Sequence, residues 1–404
     1  MTGRTERGAR ASDYPALRDL LLSTWPNPND ELGIWDYLVA SDPTLEPENV
    51  RLVCLGDRPV AATTLVMRQV RTRQGWTSGA ELTLVCCHPD HRRKGYGGAT
   101  VRGALAHLAR RGGALAVFYG VPEFYPRFGC VPVLPGFRTE LAVAPEPGPA
   151  PSTAADRSSP GLGETGLRDA TEADLSGISR LHDERISIYP ASVARSAAPW
   201  MWRVRNPEGH ALWTLPDGRG YAHVAFNREG ASLDVQEAAA ADGLTARRLL
   251  AGLTGEARRR GFDKVHLFLA PDNLVARLAR LDGAWQRYRP AAAGFVAITR
   301  WEPHLPPGYR VVEDARCDLF YRSEPGGPER RVLRAGRGPL TELLMGYLDI
   351  DDLLLRQEGT VAAAPSETLP PGTVLTAEGD LDQLRADFPK LLPKYTMAPY
   401  YFWF

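Results

Sequence analysis

The chain has 404 residues, 44% hydrophobic and 24% charged, which excludes the disordered class and predicts roughly two to four domains. Its 48 basic residues balance 48 acidic ones, removing the electrostatic reason to expect nucleic-acid or membrane-surface binding. No apolar run approaches the roughly 20 residues of a bilayer span, and the start lacks the hydrophobic segment of a signal peptide. The five cysteines, an odd number with only Cys86 and Cys87 close together, read as reduced thiols in a cytoplasm, and no Cys/His spacing suits zinc.

In chain order, residues 5–10 predict a short strand, and Ser12 or Asp13 can cap a helix carrying Leu17, Leu20, Leu21 and Leu22. A loop through Trp25 and Pro26 leads to a second helix over 31–40. Strands follow over 51–55, 60–73 and 78–87, parted by turns at 56–59 and Gly75. The last strand runs into Leu82-Thr83-Leu84-Val85-Cys86-Cys87-His88-Pro89-Asp90-His91-Arg92-Arg93-Lys94-Gly95-Tyr96-Gly97-Gly98. Beyond it Val101, Ala104, Leu105 and Leu108 repeat at helical spacing, so the order is strand, loop, helix.

That loop suits phosphate. At a helix start several backbone N–H groups lack partners and point past the terminus. Gly95, Gly97 and Gly98 remove side chains that would keep an oxygen away, while Arg92, Arg93 and Lys94 add charge on the approach side. A glycine-rich loop alone is as readily a structural turn. The specificity comes from the whole order of apolar strand, x-Pro-x-x-Arg-x-x-Gly-x-Gly and amphipathic helix. A Walker loop would need Gly-Lys-Ser/Thr, and a Rossmann fingerprint begins earlier on the strand.

A compact apolar strand over 114–119 comes next, then Gly120-Val121-Pro122-Glu123-Phe124-Tyr125-Pro126-Arg127-Phe128-Gly129. Residues 144–165, rich in Pro, Ala, Gly and Ser without periodicity, read as a linker. The chain then repeats its first outline: a strand end and capped helix at 167–175, strands over 211–215, 220–227 and 231–237, a helix over 244–260, a strand over 265–269 and a helix over 274–281. Before that longer helix stands Ala238-Ala239-Ala240-Ala241-Asp242-Gly243, with no basic triplet and no Gly-x-Gly, and Asp242 would repel a pyrophosphate. From about residue 305 come strands over 309–312, 317–321 and 329–334 and helices over 340–347 and 350–357, then a Pro-rich stretch and the segment 381–388. The chain closes on Tyr400-Tyr401-Phe402-Trp403-Phe404, aromatic where termini are normally frayed and polar.

The order from strand to glycine loop to helix resembles the coenzyme A site of the GNAT acyltransferases. The segment Tyr125-Pro126-Arg127-Phe128-Gly129 resembles the Tyr-x-Arg-Phe-Gly of their enhanced-intracellular-survival (Eis) type. The resemblance implies an α+β chain of tandem GNAT folds: an active one over 1–143, a linker over 144–165, a degenerate copy over 166–303, and a small C-terminal α/β domain over 304–404 resembling a sterol carrier protein. It implies acetyl-CoA or another acyl-CoA as cofactor, held by the backbone of Val85, Cys86 and Cys87 and by Arg92, Arg93, Lys94, Gly95, Tyr96, Gly97 and Gly98. Gly120 and Val121 occupy the positions of the family's Ser-Glu pair, so polar side-chain contacts to the cofactor are missing there.

By the same resemblance Tyr125 is the proton donor to the departing thiolate, and the base is the C-terminal carboxylate, here of Phe404. Packing of Tyr125 against Phe128, and an aromatic tail that merely plugs a groove, are the structural alternatives. Glu81 is the runner-up base, with an exposed strand carboxylate as its plain alternative. Trp25, Trp35 and Asp36, with Tyr37, sit where first-domain helices line the acceptor cleft or simply pack. The function expected is N-acyl transfer, most directly of acetyl to a primary amine of a small molecule, aminoglycoside-like or other, by a cytoplasmic homo-oligomer, often hexameric. The alternatives are a natural-product enzyme transferring a larger acyl or aminoacyl group, and a non-catalytic sensor of acyl-CoA or lipid.

Overall fold

The computed structural model describes residues 3–25, 29–143, 166–205, 209–313, 317–322, 325, 327, 329–346, 348–353, 376–377 and 381–389. The linker 144–165 and the tail from 390 to 404, Phe404 included, lie outside the described residues.

The first part runs β1 (Arg4–Gly8), α1 (Tyr14–Thr24), α2 (Asn29–Ser41), β2 (Val50–Leu55), β3 (Arg58–Thr72), β4 (Gly75–Cys87), α3 (Tyr96–Arg110), β5 (Leu115–Tyr119) and β6 (Val131–Ala142). Pro15 starts α1, where a missing N–H costs nothing, and Leu17, Leu20 and Leu21 bury one stripe while Leu22 turns outward. In α3 the buried stripe is Val101, Ala104 and Leu108, packed on Ala80 and Leu82 of β4 and Ala116 and Phe118 of β5. After β5 the chain turns through Gly120 to Gly129. Only a 3-10 turn, Tyr125–Phe128, forms there, because Pro122 and Pro126 remove backbone donors and Gly129, at φ 76°, ends the turn in the left-handed region.

The second part is β7 (Arg168–Asp169), α4 (Leu175–Arg185), α5 (Ala197–Arg205), β8 (His210–Thr214), β9 (Gly220–Asn227), β10 (Ser232–Ala240), α6 (Gly243–Arg259), β11 (Lys264–Leu267), α7 (Leu274–Leu281) and β12 (Trp285–Ile298). Its strands repeat the pairing of the first: three antiparallel neighbours, then one parallel pair, β4 with β5 and β10 with β11. All twelve form one sheet, ordered β1-β2-β3-β4-β5-β12-β6-β11-β10-β9-β8-β7. The closing strands cross over. β12 pairs with β5, β6 pairs with β11, and the two lie side by side at the centre. Phe295 and Ala297 of β12 thereby complete the core beneath α3.

The third part adds β13 (Tyr309–Glu313), β14 (Cys317–Tyr321), β15 (Arg330–Ala335), α8 (Arg337–Leu344) and β16 (Thr376–Ala377), a four-stranded antiparallel sheet, with a last helix over Leu381–Asp387. Its core is continuous with the face of β5 that points away from α3: Leu115, Val117 and Val296 share one cluster with Leu340, Leu343 and Phe388. Arg73 donates to the Leu343 carbonyl at 3.1 Å and lies over the Phe388 ring. No described helix is long and apolar enough to cross a membrane, and all five cysteines are free thiols.

Candidate active site

β4 and β5 are paired only at Ala80 with Ala116 and at Glu81 with Val117. Beyond Glu81 the strands part, leaving the β4 backbone from Leu82 to Cys87 without a strand neighbour on that edge among the described residues. On its other edge β4 carries a bulge. Ala62 pairs with Cys86 but Thr64 with Thr83, so Leu84 and Val85 together oppose Thr63. Leu84 takes φ 49°, a left-handed conformation costing a branched side chain about 1–2 kcal/mol, and a bulge of this kind re-aims backbone groups. Thr63 donates to Thr100 at 2.8 Å, and Thr100 in turn to the Gly97 carbonyl at 2.8 Å, which ties the bulge to the first turn of α3.

From Cys87 the chain makes a 3-10 turn, Pro89–His91, in which the His88 ring accepts from the Asp90 N–H at 3.3 Å. Arg93 (φ 61°) and Gly95 (φ 78°) then carry the backbone into α3 through the left-handed region. Only Gly95 does so without steric cost, and its Cβ position opens on empty space. The first bond that α3 makes back to this loop runs from Ala99 N–H to Gly95 C=O at 3.0 Å. The amides of Gly95, Tyr96 and Gly98 are left without a backbone partner among the described residues, while that of Gly97 lies near enough to the Cys87 sulfur to favour its thiolate.

The glycines differ in purpose. A Cβ on Gly98 would meet the Phe128 ring at 2.9 Å and one on Gly97 would reach Phe124 at 3.7 Å. Gly98 therefore lets the aromatic turn close on α3, a Cβ on Gly97 would stand only at ordinary contact distance from that turn, and Gly95 serves the opening itself. Arg92 donates to the Thr24 carbonyl at the end of α1 (2.7 Å) and Lys94 to the Asp90 carbonyl (2.9 Å). Arg92, Arg93 and Lys94 are all exposed. Burial pushes the Cys86 thiol up to about 12 and raises that of Cys87 against the pull of Arg92, so neither sulfur is a ready nucleophile. Val85 is half-buried beside the same core.

Tyr125, 6% exposed, stands beside the parted strands, with ring centroids 4.6 Å from Phe118, 4.9 Å from Phe124 and 5.4 Å from Phe295. Burial holds its phenol above the usual range, which keeps it protonated. A Cβ on Gly120 would stand 2.0 Å from its ring, so Gly120 is what admits the tyrosine. Val121 is 59% exposed.

Two expectations need correction. Trp35 is 3% exposed and edge-on to Tyr14 at 5.2 Å, in the core between α1, α2 and the sheet. Its indole fills volume there rather than lining an open cleft, whereas Trp25 is half-buried at the rim of that core and Asp36 is half-buried, 3.5 Å from Arg18. The second concerns Glu81, which is not an exposed strand carboxylate. It is 1% exposed and accepts from Arg68 Nε at 3.1 Å; Arg68 also reaches Asp42 at 2.5 Å and Thr44 at 2.9 Å. Burial raises the Glu81 carboxyl against the opposing pull of Arg68 and Arg195, and its Oε1 is buried with no hydrogen-bond partner among the described residues. Nothing local marked this network. Asp42 and Thr44 lie outside the elements expected from the sequence, Arg68 falls within the strand expected over 60–73, and Leu84 carries no bulge signature.

Residues 6–133, which hold the parted strands, the bulge and the start of α3, match the acetyltransferase (GNAT) domain family. The chain thus carries a GNAT acetyltransferase domain, an enzyme domain, in its first third. No curated protein matches the chain. Among solved structures, its fold is similar to that of a GCN5-related N-acetyltransferase from Kribbella flavida (16% identity, 99% of this chain and 98% of that one, TM-score 0.66). It is similar also to one from Anabaena variabilis (13%, 99% and 100%, 0.68) and to Eis1 from Mycobacterium abscessus (15%, 98% and 100%, 0.61). At these identities the likeness is one of fold, and it extends over nearly the whole length.

Proposed function

We propose that the chain is an acyl-CoA-dependent N-acyltransferase that moves acetyl from acetyl-CoA to a primary amine of a small molecule, aminoglycoside-like or other, with Tyr125 as general acid. The observation that carries this reading is the continuity of the β4 edge open beyond Glu81, the unpartnered amides at Gly95, Tyr96 and Gly98, and Tyr125 beside both. The residues fit the group. β4 from Val85 to Cys87 offers unpaired backbone to a pantetheine arm, and the start of α3, with Arg92, Arg93 and Lys94, offers amides and charge to a diphosphate. Bound there, the coenzyme supplies an acyl thioester. The chain's own part is to hold that arm against β4, to exclude water with Phe118, Phe124 and Phe295, and to keep a proton on the Tyr125 hydroxyl for delivery to a sulfur leaving group.

For the base we keep the carboxylate of Phe404, in line with the Eis-type resemblance. Glu81 is the second reading, favoured by its buried, unpartnered Oε1 and its raised pKa. Replacing Glu81 by Gln, and separately adding a few residues after Phe404, tells the two apart by which change removes turnover. We read the second part as a degenerate GNAT fold, the third as a domain similar to a sterol carrier protein, and the assembly as a cytoplasmic homo-oligomer of the Eis kind.

The deciding experiment is Tyr125→Phe, followed by free thiol released from acetyl-CoA over a panel of amines. The expected result is a fall in kcat of about 100-fold with acetyl-CoA affinity nearly unchanged. An equal loss of binding would make the tyrosine structural, and absence of turnover by the unaltered chain with every amine would favour an acyl-CoA sensor.

A further inference from the structure

A second cationic cluster lies at the other end of α3. Where β1 ends beside the start of β2, a cavity of about 510 Å³ opens, and Arg7, Arg10, Arg51, His107, Arg110 and Arg111 are among its lining groups, against one carboxylate, Glu48. α3 has 15 residues, so about 22 Å of helix, at about 1.5 Å per residue, separates this cavity from Gly95. It is not part of the site described above.

Two of the guanidiniums are neutralised within the chain, Arg7 by Asp13 at 2.7 Å and Arg111 by Glu46 at 2.5 Å. Arg10, Arg51 and Arg110 have no ion pair among the described residues; Arg51 has only a 3.5 Å contact to the Glu48 carbonyl. A Cβ on Gly8 would stand 2.9 Å from the Arg51 Nη1, so the bare strand end leaves room for that guanidinium. Burial, and then Arg110, hold Arg51 below the usual guanidinium range. Burial, Arg51, Arg110 and Arg111 likewise depress His107, whose Nε2 lies 3.1 Å from Asn49. The helix dipole accounts for basic residues in the last turn of α3. It does not account for Arg10 and Arg51, which come from a different part of the chain and converge on the same concavity, where like charges raise one another's free energy until an anion enters.

We propose that this cavity is a second anion site, taking a small molecule that carries two or more phosphate charges, as a diphosphate ester or as free pyrophosphate. Its volume of about 510 Å³ falls within the range of small-molecule sites, and the guanidinium fork matches phosphate oxygens in pairs. The class of ligand is set by charge and size. A nucleoside diphosphate beside inorganic pyrophosphate in the same titration separates the two sources.

The test is calorimetric titration of inorganic pyrophosphate into the full chain carrying R92A/K94A, which disarms the Gly95 loop, and then into the same chain with R51A/R110A added. The expected result is binding to the first, and a loss of about tenfold or more in affinity in the second, with unchanged melting temperature. Arg10→Ala, an exposed side chain, should shift affinity the same way by a smaller factor, and raised salt should weaken binding to the first protein. No binding by the R92A/K94A protein, or equal binding after R51A/R110A is added, overturns the proposal.

Discussion

The two long helices that follow a parted parallel pair begin in opposite ways. α3 starts at Gly95, left-handed and without a side-chain cap, with Arg92, Arg93 and Lys94 before it. α6 starts at Asp242, extended, whose carboxylate accepts from the Thr245 N–H at 2.8 Å and pairs with Arg219 at 2.5 Å. The strands before them differ in the same sense. Both carry a bulge, at Leu84 and Val85 in β4 and at Gln236 in β10. Past Val235, however, the β10 edge is met by the Asn273 amide, which donates to the Ala238 carbonyl at 2.8 Å. The second part supplies its own anion and its own edge partner, and the first supplies neither. An anion site at a helix start is thus a cap left out, and one topology yields an open or a self-satisfied site according to one or two side chains.

The comparison is broken most sharply by giving α3 the cap of α6. Gly95→Asp places a carboxylate where the diphosphate is expected and a side chain at φ 78°. Acetyl-CoA affinity should fall by about 100-fold or more, about 2.7 kcal/mol. Gly95→Ala is the control, paying only about 1 kcal/mol of backbone strain. Calorimetry with acetyl-CoA decides, and wild-type affinity in the aspartate variant would remove the start of α3 from the site.

The turns after β5 and β11 extend the contrast, one bringing Tyr125 and the other Asn273 beside the neighbouring strand. Gly120→Ala drives a methyl into the Tyr125 ring, 2.0 Å away, and should cost about 1–3 kcal/mol of stability by overpacking while lowering kcat along with it. Asn273→Ala removes the cap of α7 and the bond to Ala238. It should cost about 1–2 kcal/mol by urea denaturation and create no second acetyl-CoA site, because Asp242 still caps α6. Two equivalents of acetyl-CoA bound by that variant would show that Asn273 alone closes the second part.

What the sequence disclosed of this contrast is what is local. The run from Pro89 to Gly98 and the carboxylate at Asp242 are both contiguous, and each speaks for itself through helix-end chemistry. The crossing of β6 and β12 was not legible, since their pairing joins residues more than a hundred positions apart and Arg289-Pro290-Ala291 lacks a strand pattern. Glu81 was misjudged for a related reason: strand alternation cannot say that Arg68, Asp42 and Thr44 will bury it. Leu84 has neither the glycine nor the asparagine that usually marks a positive φ, and the role of Gly120 exists only once Tyr125 has folded back onto it.

The smallest expected effect tests the cap of α6 by pH. Hydrogen bonds from Thr245 and the charge of Arg219 lower the Asp242 carboxyl from 3.8 to about 2. A group whose folded pKa is depressed adds stability above its unfolded value and loses it as pH falls through the folded one. The contribution is therefore whole at neutrality and drains between about pH 4 and pH 2. Asp242→Asn keeps an oxygen to accept from Thr245 but has no charge to lose. The urea midpoint of the native chain should exceed that of the variant at pH 7, and the gap should close on acidification through that window. The effect is small because Asp242 and Arg219 are exposed and water screens their attraction. A gap that stays constant down to about pH 2.5 would mean that the carboxylate's charge has no part in capping α6, and the contrast with α3 would then rest on Asn273 and the loop cations alone.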